Sequence, residues 1–226
     1  MDIIPPRNSQ PAAPGPQASS SPAQPPASTP PRRFSDSHGS FRSVISTILL
    51  FGTAFLIAIL LNSFVIQSYQ VDGQSMENTL QNDDRLIVNK VPRTLSRLTG
   101  HQYVPARGQI IIFNEAGLPG FVGEKQLIKR VIALPGEHIM VKNGRITVYN
   151  AEHPNGFAPD DAGTYQTASP VTVGDVDTYL QKDEIFVCGD NRPNSEDSRY
   201  FGPIKTNQIV AKLVLRILPL NKVHNY

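Results

Sequence analysis

The 226-residue sequence contains a single cysteine, so no internal disulfide can form. This excludes a disulfide-stabilised scaffold, and we expect Cys188 to be a small buried core residue. An excess of basic charge is also absent from residues 67–226, which contain 17 Lys or Arg and 17 Asp or Glu. Such a domain lacks the electrostatic footprint of nucleic-acid-binding proteins, so we expect no nucleic-acid partner.

Residues 1–43 are poor in large aliphatic side chains, and half of the 20 prolines fall within the first 31 residues. A segment of this composition cannot bury enough apolar surface to offset the entropy of ordering the chain. We therefore predict a disordered tail over residues 1–43. It acts as a plain linker or, alternatively, carries a docking motif for a proline-binding module.

Residues 44–66 contain no charged side chain and read VISTILLFGTAFLIAILLNSFVI. As a helix this run would span about 34 Å, which exceeds the roughly 30 Å of a hydrocarbon core. A cleavable signal peptide would have a shorter apolar run and would end in small residues, which residues 62–65 (NSFV) do not provide. We therefore predict a transmembrane helix that anchors the chain in a lipid bilayer.

The charges flanking this run predict its orientation. Arg32, Arg33 and Arg42 precede the run, and no basic residue follows it until Arg85. The positive-inside rule then places the N-terminus in the cytoplasm. Residues 67–226 are expected on the outer side of the cell membrane.

The last 160 residues show short, β-like apolar runs. These runs cover residues 85–88, 109–113, 126–132, 139–141, 146–149, 184–187 and 209–217. Asn143-Gly144, between two of them, predicts a hairpin with a type I′ turn. We expect no amphipathic helix after residue 66 and a surface excursion over residues 150–177. The predicted fold is mostly β, an antiparallel sheet domain over residues 67–226.

Ser75 follows the apolar run closely, within VDGQSMENTL at residues 71–80. It is a candidate nucleophile or, alternatively, an ordinary turn serine. Its surroundings match neither the Gly-x-Ser-x-Gly elbow nor the Ser-x-x-Lys pattern. The five histidines lie in sequence contexts that disfavour a histidine base, and they lack metal-ligand spacing. We therefore expect neither a metal nor a cofactor.

Lys129 is the more informative candidate for a base. Strand alternation places it on the same face as Leu127 and Val131. If that face is the core, burial lowers the lysine pKa and makes a neutral amine available as a general base. Alternatively, Lys129 lies on an edge strand and extends its amine to solvent.

Residues 189–203 form the densest polar run of the domain, with Asp190, Ser195 and Asp197 as hydrogen-bond acceptors beside two arginines. The run is either a surface loop with turn chemistry or a set of groups that orients a buried amine.

Taken together and in this order, three segments behind an N-terminal anchor resemble the type I signal peptidase family, membrane-anchored Ser-Lys proteases. GQSMENTL at residues 73–80 is similar to the nucleophile box, and KRVIALPGE at residues 129–137 is similar to the base box. GDNR at residues 189–192, with the polar positions after it, is similar to the last box. The resemblance implies that Ser75 is the nucleophile and Lys129 its general base.

The resemblance also implies supporting roles. Ser195 and Asp197 match positions that orient the lysine and support the site, although Asp197 could instead pair with Arg130 or Arg199. The Ser75 backbone N–H matches an oxyanion donor. Substrate pockets for small side chains at −1 and −3 are expected at two further positions, Val71 and Ile128.

Two residues depart from the family pattern. Asn78 stands where the family usually has proline, which should loosen the turn after Met76. Gly73 stands where some members have a serine hydroxyl that donates to the oxyanion. The second oxyanion donor is therefore not identified by the resemblance.

The implied activity is removal of N-terminal signal peptides from exported preproteins by cleavage at Ala-x-Ala-type sites, near the secretion translocon. A self-cleaving repressor-type Ser-Lys protease is one rival, but such proteases lack a transmembrane span. A non-catalytic membrane-anchored β domain and a degenerate member of the family are the others.

Overall fold

The computed structural model describes residues 38–163, 165, 167, 169 and 171–226. Most of the tail predicted over residues 1–43 lies outside the described residues, so that prediction stays a prediction. The first described element, helix α1 (His38–Phe64), begins before the predicted start at Val44. Its extra residues contain Gly39 but no proline, so they contain no strong barrier to helix extension.

Helix α1 is apolar on all sides. Its segment Arg42–Phe64 is long and apolar enough to cross a membrane, and none of it is buried within the protein. A helix that is apolar all round and exposes its large side chains needs an apolar environment outside the protein.

The rest of the described chain is built mainly from short strands. In chain order they are β1 (Ile66–Gln70), β2 (Arg85–Asn89), β3 (Ile110–Ala116), β4 (Glu124–Ala133), β5 (His138–Lys142), β6 (Arg145–Tyr149), β7 (Val176–Tyr179), β8 (Glu184–Cys188), β9 (Ile204–Lys205), β10 (Ile209–Leu218) and β11 (His224–Asn225). Two short helices, α2 (Val91–Thr99) and α3 (Ser198–Phe201), interrupt them.

The strands form two antiparallel sheets. The larger has the order β1-β2-β10-β3-β4-β8-β9, with β11 paired to β10, and the smaller has the order β6-β5-β7. Three clusters of buried aliphatic and aromatic side chains form the core of these sheets. The predicted mostly β, antiparallel fold is confirmed. Six of the seven predicted apolar runs lie wholly within strands, and the run over residues 109–113 begins one residue before β3.

The predicted hairpin at Asn143-Gly144 is also confirmed. Both residues have positive φ, 51° and 78°, and the turn joins Lys142 of β5 to Arg145 of β6. Asparagine and glycine tolerate this conformation better than other residues do.

Two expectations were wrong. Helix α2 is an amphipathic helix after residue 66, ended by Gly100 in the left-handed conformation with its N–H on Ser96 O. It escaped notice because its nine residues contain few apolar positions. The segment over residues 150–177 is no simple surface excursion, because Phe157 pairs with Val148 and packs against the core.

Candidate active site

Ser75 lies in the loop between β1 and β2, which is held at both ends. The Val71 N–H donates to Asp84 O at 2.9 Å, and the Asp83 N–H donates to Val71 O at 2.9 Å. Met76 and Leu80 are buried in the core cluster beneath β2. The buried side chains of Met76 and Leu80 therefore hold the loop against the core and leave Ser75 half-buried at the surface.

The loop after β8 holds the Ser75 backbone from the other side. Asn191 donates from its backbone N–H to Ser75 O at 3.0 Å and from Nδ2 to Gln74 O at 3.1 Å. Sequence reasoning gave Asn191 no role of its own, because the signal is a contact between residues more than a hundred positions apart.

Gly189 makes this contact between loops possible. A Cβ atom on Gly189 would lie 2.3 Å from Ser75 O and 2.2 Å from Ser195 Oγ. Side-chain atoms cannot approach so closely, so the packing of the two loops requires glycine here.

Lys129 of β4 is buried, with 3% of its surface exposed. Its Nζ lies 2.7 Å from Ser75 Oγ, within hydrogen-bond distance. The structure therefore brings together the two residues that the resemblance singled out. Of the two alternatives for Lys129, an edge-strand lysine that reaches solvent is ruled out by this burial.

Burial controls the protonation of Lys129. Desolvation lowers the pKa of Lys129 from 10.5 to about 8, while the negative charge of Asp197 acts in the opposite direction. With this pKa about a tenth of the amine is uncharged at pH 7, whereas an exposed lysine is almost fully protonated.

Asp197 is fully buried and pairs with Arg199, with which it makes several hydrogen bonds. It also accepts from the Gly189 N–H at 3.0 Å. Arg130 binds a different carboxylate, Asp190, through two hydrogen bonds of 2.8 and 2.6 Å. Of its two possible partners, Asp197 therefore pairs with Arg199, not with Arg130.

Asp190 connects this ion pair to the serine loop. Thr79 donates its hydroxyl to Asp190, and Arg130 also donates to Gly108 O at 2.6 Å. The buried pair thus fixes the strand of Lys129 against the loop of Ser75. Sequence reasoning saw Asp190 only as part of a polar run and Arg130 as a possible partner of Asp197, and it did not pair the two.

Ser195 is buried beside Gly189, but its Oγ has no hydrogen-bond partner among the described residues. The expected contact between Ser195 and the Lys129 amine is therefore not formed in this structure. The Ser195 hydroxyl and Ser75 O instead both lie next to the position that a Gly189 Cβ would occupy.

A cavity opens beside Ser75 and Lys129. It is bounded by Val71 and Ile128, the two residues expected in the substrate pockets. Further lining residues are Tyr69, Leu86, Ile112 and Gln126. The apolar run over residues 85–88 predicted a strand but no place for Leu86 in the site, since the pattern of one strand does not show which cavity its buried face borders.

The remaining predicted positions lie at the edge of the site or outside it. Gly73 has φ +105°, and a side chain there would project into open space. Asn78 is exposed. Cys188 is fully buried, as expected, and burial raises the pKa of its thiol. Within the described residues, no three His, Cys, Asp or Glu side chains are grouped to hold a metal ion.

Comparison with known proteins finds similarity to signal peptidases. The family model described as "Signal peptidase, peptidase S26" matches residues 44–218. A signal peptidase IB of Staphylococcus aureus (strain COL) is 28% identical over 197 residues, covering 82% of this chain and 95% of that protein. A probable signal peptidase I-2 of Synechocystis sp. is 34% identical over 173 residues, covering 76% of this chain and 72% of that protein.

Among solved structures, a signal peptidase I from Enterococcus faecalis V583 is 26% identical to this chain, with a TM-score of 0.36. The match covers 49% of this chain and 97% of the Enterococcus chain. The family assignment does not depend on that structural similarity. Because the family model matches most of the chain, we conclude that the chain belongs to the type I signal peptidases of the S26 family.

Proposed function

We propose that this chain is a membrane-anchored serine endopeptidase in which Ser75 is the nucleophile and Lys129 the general base. It removes N-terminal signal peptides from exported preproteins. One observation carries the proposal: a buried lysine amine lies 2.7 Å from a serine hydroxyl at the edge of a cavity. A nucleophile and base in direct hydrogen-bond contact are what acyl transfer requires.

The reaction begins when neutral Lys129 Nζ removes the Ser75 hydroxyl proton and Oγ attacks the carbonyl carbon at the cleavage site. The resulting ammonium then returns a proton to the leaving amine as the peptide bond breaks. In the second stage Lys129 takes a proton from water as the water oxygen attacks the acyl carbon. The Lys129 ammonium then returns a proton to Ser75 Oγ as the ester bond breaks, so that Ser75 and neutral Lys129 are both regenerated.

The oxyanion receives a hydrogen bond from the Ser75 backbone N–H in this proposal. The contacts of Asn191 with the carbonyls of Gln74 and Ser75 fix the direction in which this peptide group points. A donor held in place before reaction stabilises developing charge without reorganisation. Gly73 contributes no side-chain donor.

The substrate lies extended in the cleft beside Val71 and Ile128. Residues of β1 and the adjoining loop line one side of this cleft, and residues 125–129 of β4 line the other. In the described pairings, residues 124–129 of β4 bond only to β3, so their other edge can accept an added strand. Shallow apolar pockets there favour alanine at −1 and −3.

The anchor and the site suit the same substrate. A signal peptide is itself embedded in the membrane, and α1 ends directly before β1, the strand that leads to the Ser75 loop. With the N-terminus cytoplasmic and the sheets outside, the enzyme meets preproteins as they emerge near the translocon.

The test uses the full chain in mild detergent with a preprotein that carries an Ala-x-Ala site. Wild type is compared with Ser75→Ala and Lys129→Met, and the cut is located by mass spectrometry. We expect cleavage after the −1 alanine by wild type and loss of at least about a thousandfold in either variant.

Lys142→Met is the matched control, because Lys142 is an exposed lysine at the end of β5. It should cleave like wild type. Equal cleavage by all variants would refute the Ser-Lys pair. If folded wild type cleaved none of several preproteins, the result would favour a non-catalytic membrane-anchored β domain or a degenerate member of the family.

A further inference from the structure

Arg192 is a buried cation in the loop after β8, the loop that holds the Ser75 backbone. Its side chain is fully buried, and its Nε donates to Gly189 O at 3.1 Å. Within the described residues, the only carboxylate that pairs with Arg192 is Asp160. A buried guanidinium needs a partner of opposite charge, so the position of Arg192 depends on Asp160.

Asp160 belongs to the segment over residues 150–177, far along the chain from either side of the site. It lies in a short helical turn, Pro159–Ala162, which follows the core residue Phe157. Both carboxylate oxygens of Asp160 accept from Arg192, one from Nη2 at 2.7 Å and the other from Nη1. A bidentate pair of this kind fixes the orientation of the guanidinium as well as its place.

Two hydroxyl groups complete the surroundings of this ion pair. Arg192 Nη1 donates to Thr172 Oγ1 at 2.6 Å, and the Tyr165 hydroxyl donates to Asp160 Oδ1 at 2.8 Å. The Tyr165 ring lies against the guanidinium of Arg130, whose Cζ is 4.5 Å from the ring centroid. The segment that carries Asp160 therefore contacts β4 as well as the loop after β8.

The position of Arg192 affects Ser75 through two residues of the loop after β8. Gly189 is held by its carbonyl on Arg192 and by its N–H on Asp197, at 3.1 and 3.0 Å. Two positions later, the Asn191 N–H donates to Ser75 O at 3.0 Å. A displaced Gly189 would therefore displace the donor that fixes the Ser75 backbone.

We propose that Asp160 is a positioning residue for the reaction at Ser75 and that it acts through Arg192. The proposal rests on the proposed function, in which the Ser75 N–H donates to the oxyanion. The charge of Asp160 holds Arg192, and Arg192 holds the Gly189 carbonyl. The loop then keeps the Ser75 peptide group in the direction that the oxyanion requires.

The proposal predicts an effect on rate more than on substrate binding. Asp160 is not among the described residues that line the cavity beside Ser75 and Lys129. Asp160→Asn removes the negative charge and keeps the size of the side chain, so the Arg192 guanidinium loses its counter-charge. We expect kcat to fall roughly ten- to a hundredfold through misplacement of the oxyanion donor, with KM within about twofold of wild type.

Asp161→Asn is the matched control. Asp161 is the next residue of the same turn, but it pairs with Arg145 at the surface, where both side chains are 63% exposed. An exposed ion pair contributes little to stability and does not reach the loop after β8. The Asp161→Asn variant should therefore have the kcat of wild type.

The assay uses the full chain in mild detergent, a peptide with an Ala-x-Ala site and a temperature well below the unfolding midpoint of every variant. Cleavage by wild type and none by Ser75→Ala would establish the proposed function in the same experiment. An unchanged kcat in Asp160→Asn would then overturn the positioning role alone. A fall in kcat of the same size in Asp161→Asn would overturn it as well.

The double variant Asp160→Asn with Arg192→Met separates positioning from stability. It removes both charges of the buried pair, so its thermal midpoint should lie above that of Asp160→Asn and close to that of wild type. Its kcat should equal that of Arg192→Met alone, because Gly189 O still lacks its donor. Recovery of kcat together with the midpoint would mean that Asp160 only stabilises the fold. A kcat well below that of Arg192→Met would show that Asp160 acts by another route, and either result would contradict the proposal.

Tyr165→Phe tests the same connection without removing a charge. It deletes the hydroxyl that donates to Asp160 and keeps the ring against Arg130. We expect kcat to fall about two- to threefold in the wild-type background and not at all in the Arg192→Met background. If Asp160→Asn does not fold, this variant decides the question, and a kcat equal to that of wild type would overturn the proposal.

Discussion

Lys129 shows how a single residue can be selected for chemistry against stability. Its amine is enclosed by the sheet and, among the described residues, contacts one hydroxyl and no carboxylate. Burial then disfavours the protonated form, which is the form that dominates in the unfolded chain at neutral pH. The neutral amine needed for base catalysis is therefore obtained at the expense of folding free energy.

Replacing Lys129 with methionine should stabilise the protein while it removes activity. The lysine pKa is lowered in the folded state, so protonated Lys129 opposes folding below about pH 8, and this penalty fades as pH rises toward 10.5. This lowering of the Lys129 pKa corresponds to about 3 kcal/mol at pH 7. Thermal unfolding in detergent should show a higher midpoint for Lys129→Met at pH 7, and a lower midpoint would contradict this account of burial.

Gly189→Ala should lower both activity and stability. The added methyl would meet Ser75 O and Ser195 Oγ inside van der Waals distance, and one of these is backbone, so the serine loop must move. We expect a cost of about 1–3 kcal/mol and a loss of kcat larger than any change in KM. Gly52→Ala is the control, because a Cβ there meets nothing within 4 Å. Unchanged kcat in Gly189→Ala would argue against the close approach of the loops.

The sequence singled out Ser75 and Lys129, the proposed nucleophile and base, but it did not show their surroundings. Ser75 and Lys129 were found by resemblance, since strand alternation alone could not say whether the Lys129 face is buried. Asn191 and Gly189 act through contacts with a loop that is distant in sequence, and such contacts leave no local pattern. The expected contact of Ser195 with Lys129 is absent, and Ser195 Oγ has no hydrogen-bond partner among the described residues.

At the scale of elements, apolar runs and turn chemistry were sufficient for the main strands and the β5–β6 hairpin. Strand β1, with the sequence IQSYQ, was missed because its side chains are mostly polar and its role comes from pairing with β2. Helix α2 was missed because its nine residues contain few apolar positions. Both elements lie next to the end of α1.

The loop after β8 is joined to β4 by the buried pair of Arg130 with Asp190, and Asp190→Asn should weaken this joint. Removing one partner of a buried ion pair leaves the other charge uncompensated, at a cost of about 3–5 kcal/mol. Urea unfolding should show this loss together with reduced cleavage. Asp183→Asn, which removes the exposed partner of Lys205, should leave the unfolding midpoint unchanged. Equal effects of the two variants would contradict the assigned role of Arg130.

At the scale of the whole molecule, the proposed function requires that the peptidase domain lie on the outer side of the membrane that α1 crosses. Alkaline phosphatase fused after Tyr226 should therefore be active in a bacterial host, because it matures only on the outer side. Green fluorescent protein fused at the same place and exported through the Sec pathway should remain dark. If the green fluorescent protein fusion were bright and the phosphatase fusion inactive, the orientation would be opposite to the one predicted from Arg32, Arg33 and Arg42.

The claim on which the rest depends is that neutral Lys129 is the base. The pH dependence of kcat/KM tests it, measured in uncharged detergent with an end-blocked peptide that has an Ala-x-Ala site and no titrating side chain. Because the pKa of Lys129 is about 8, kcat/KM should rise about tenfold per pH unit below that value and level off above it. An inflection near 6.5, typical of histidine, or a flat profile would contradict the account.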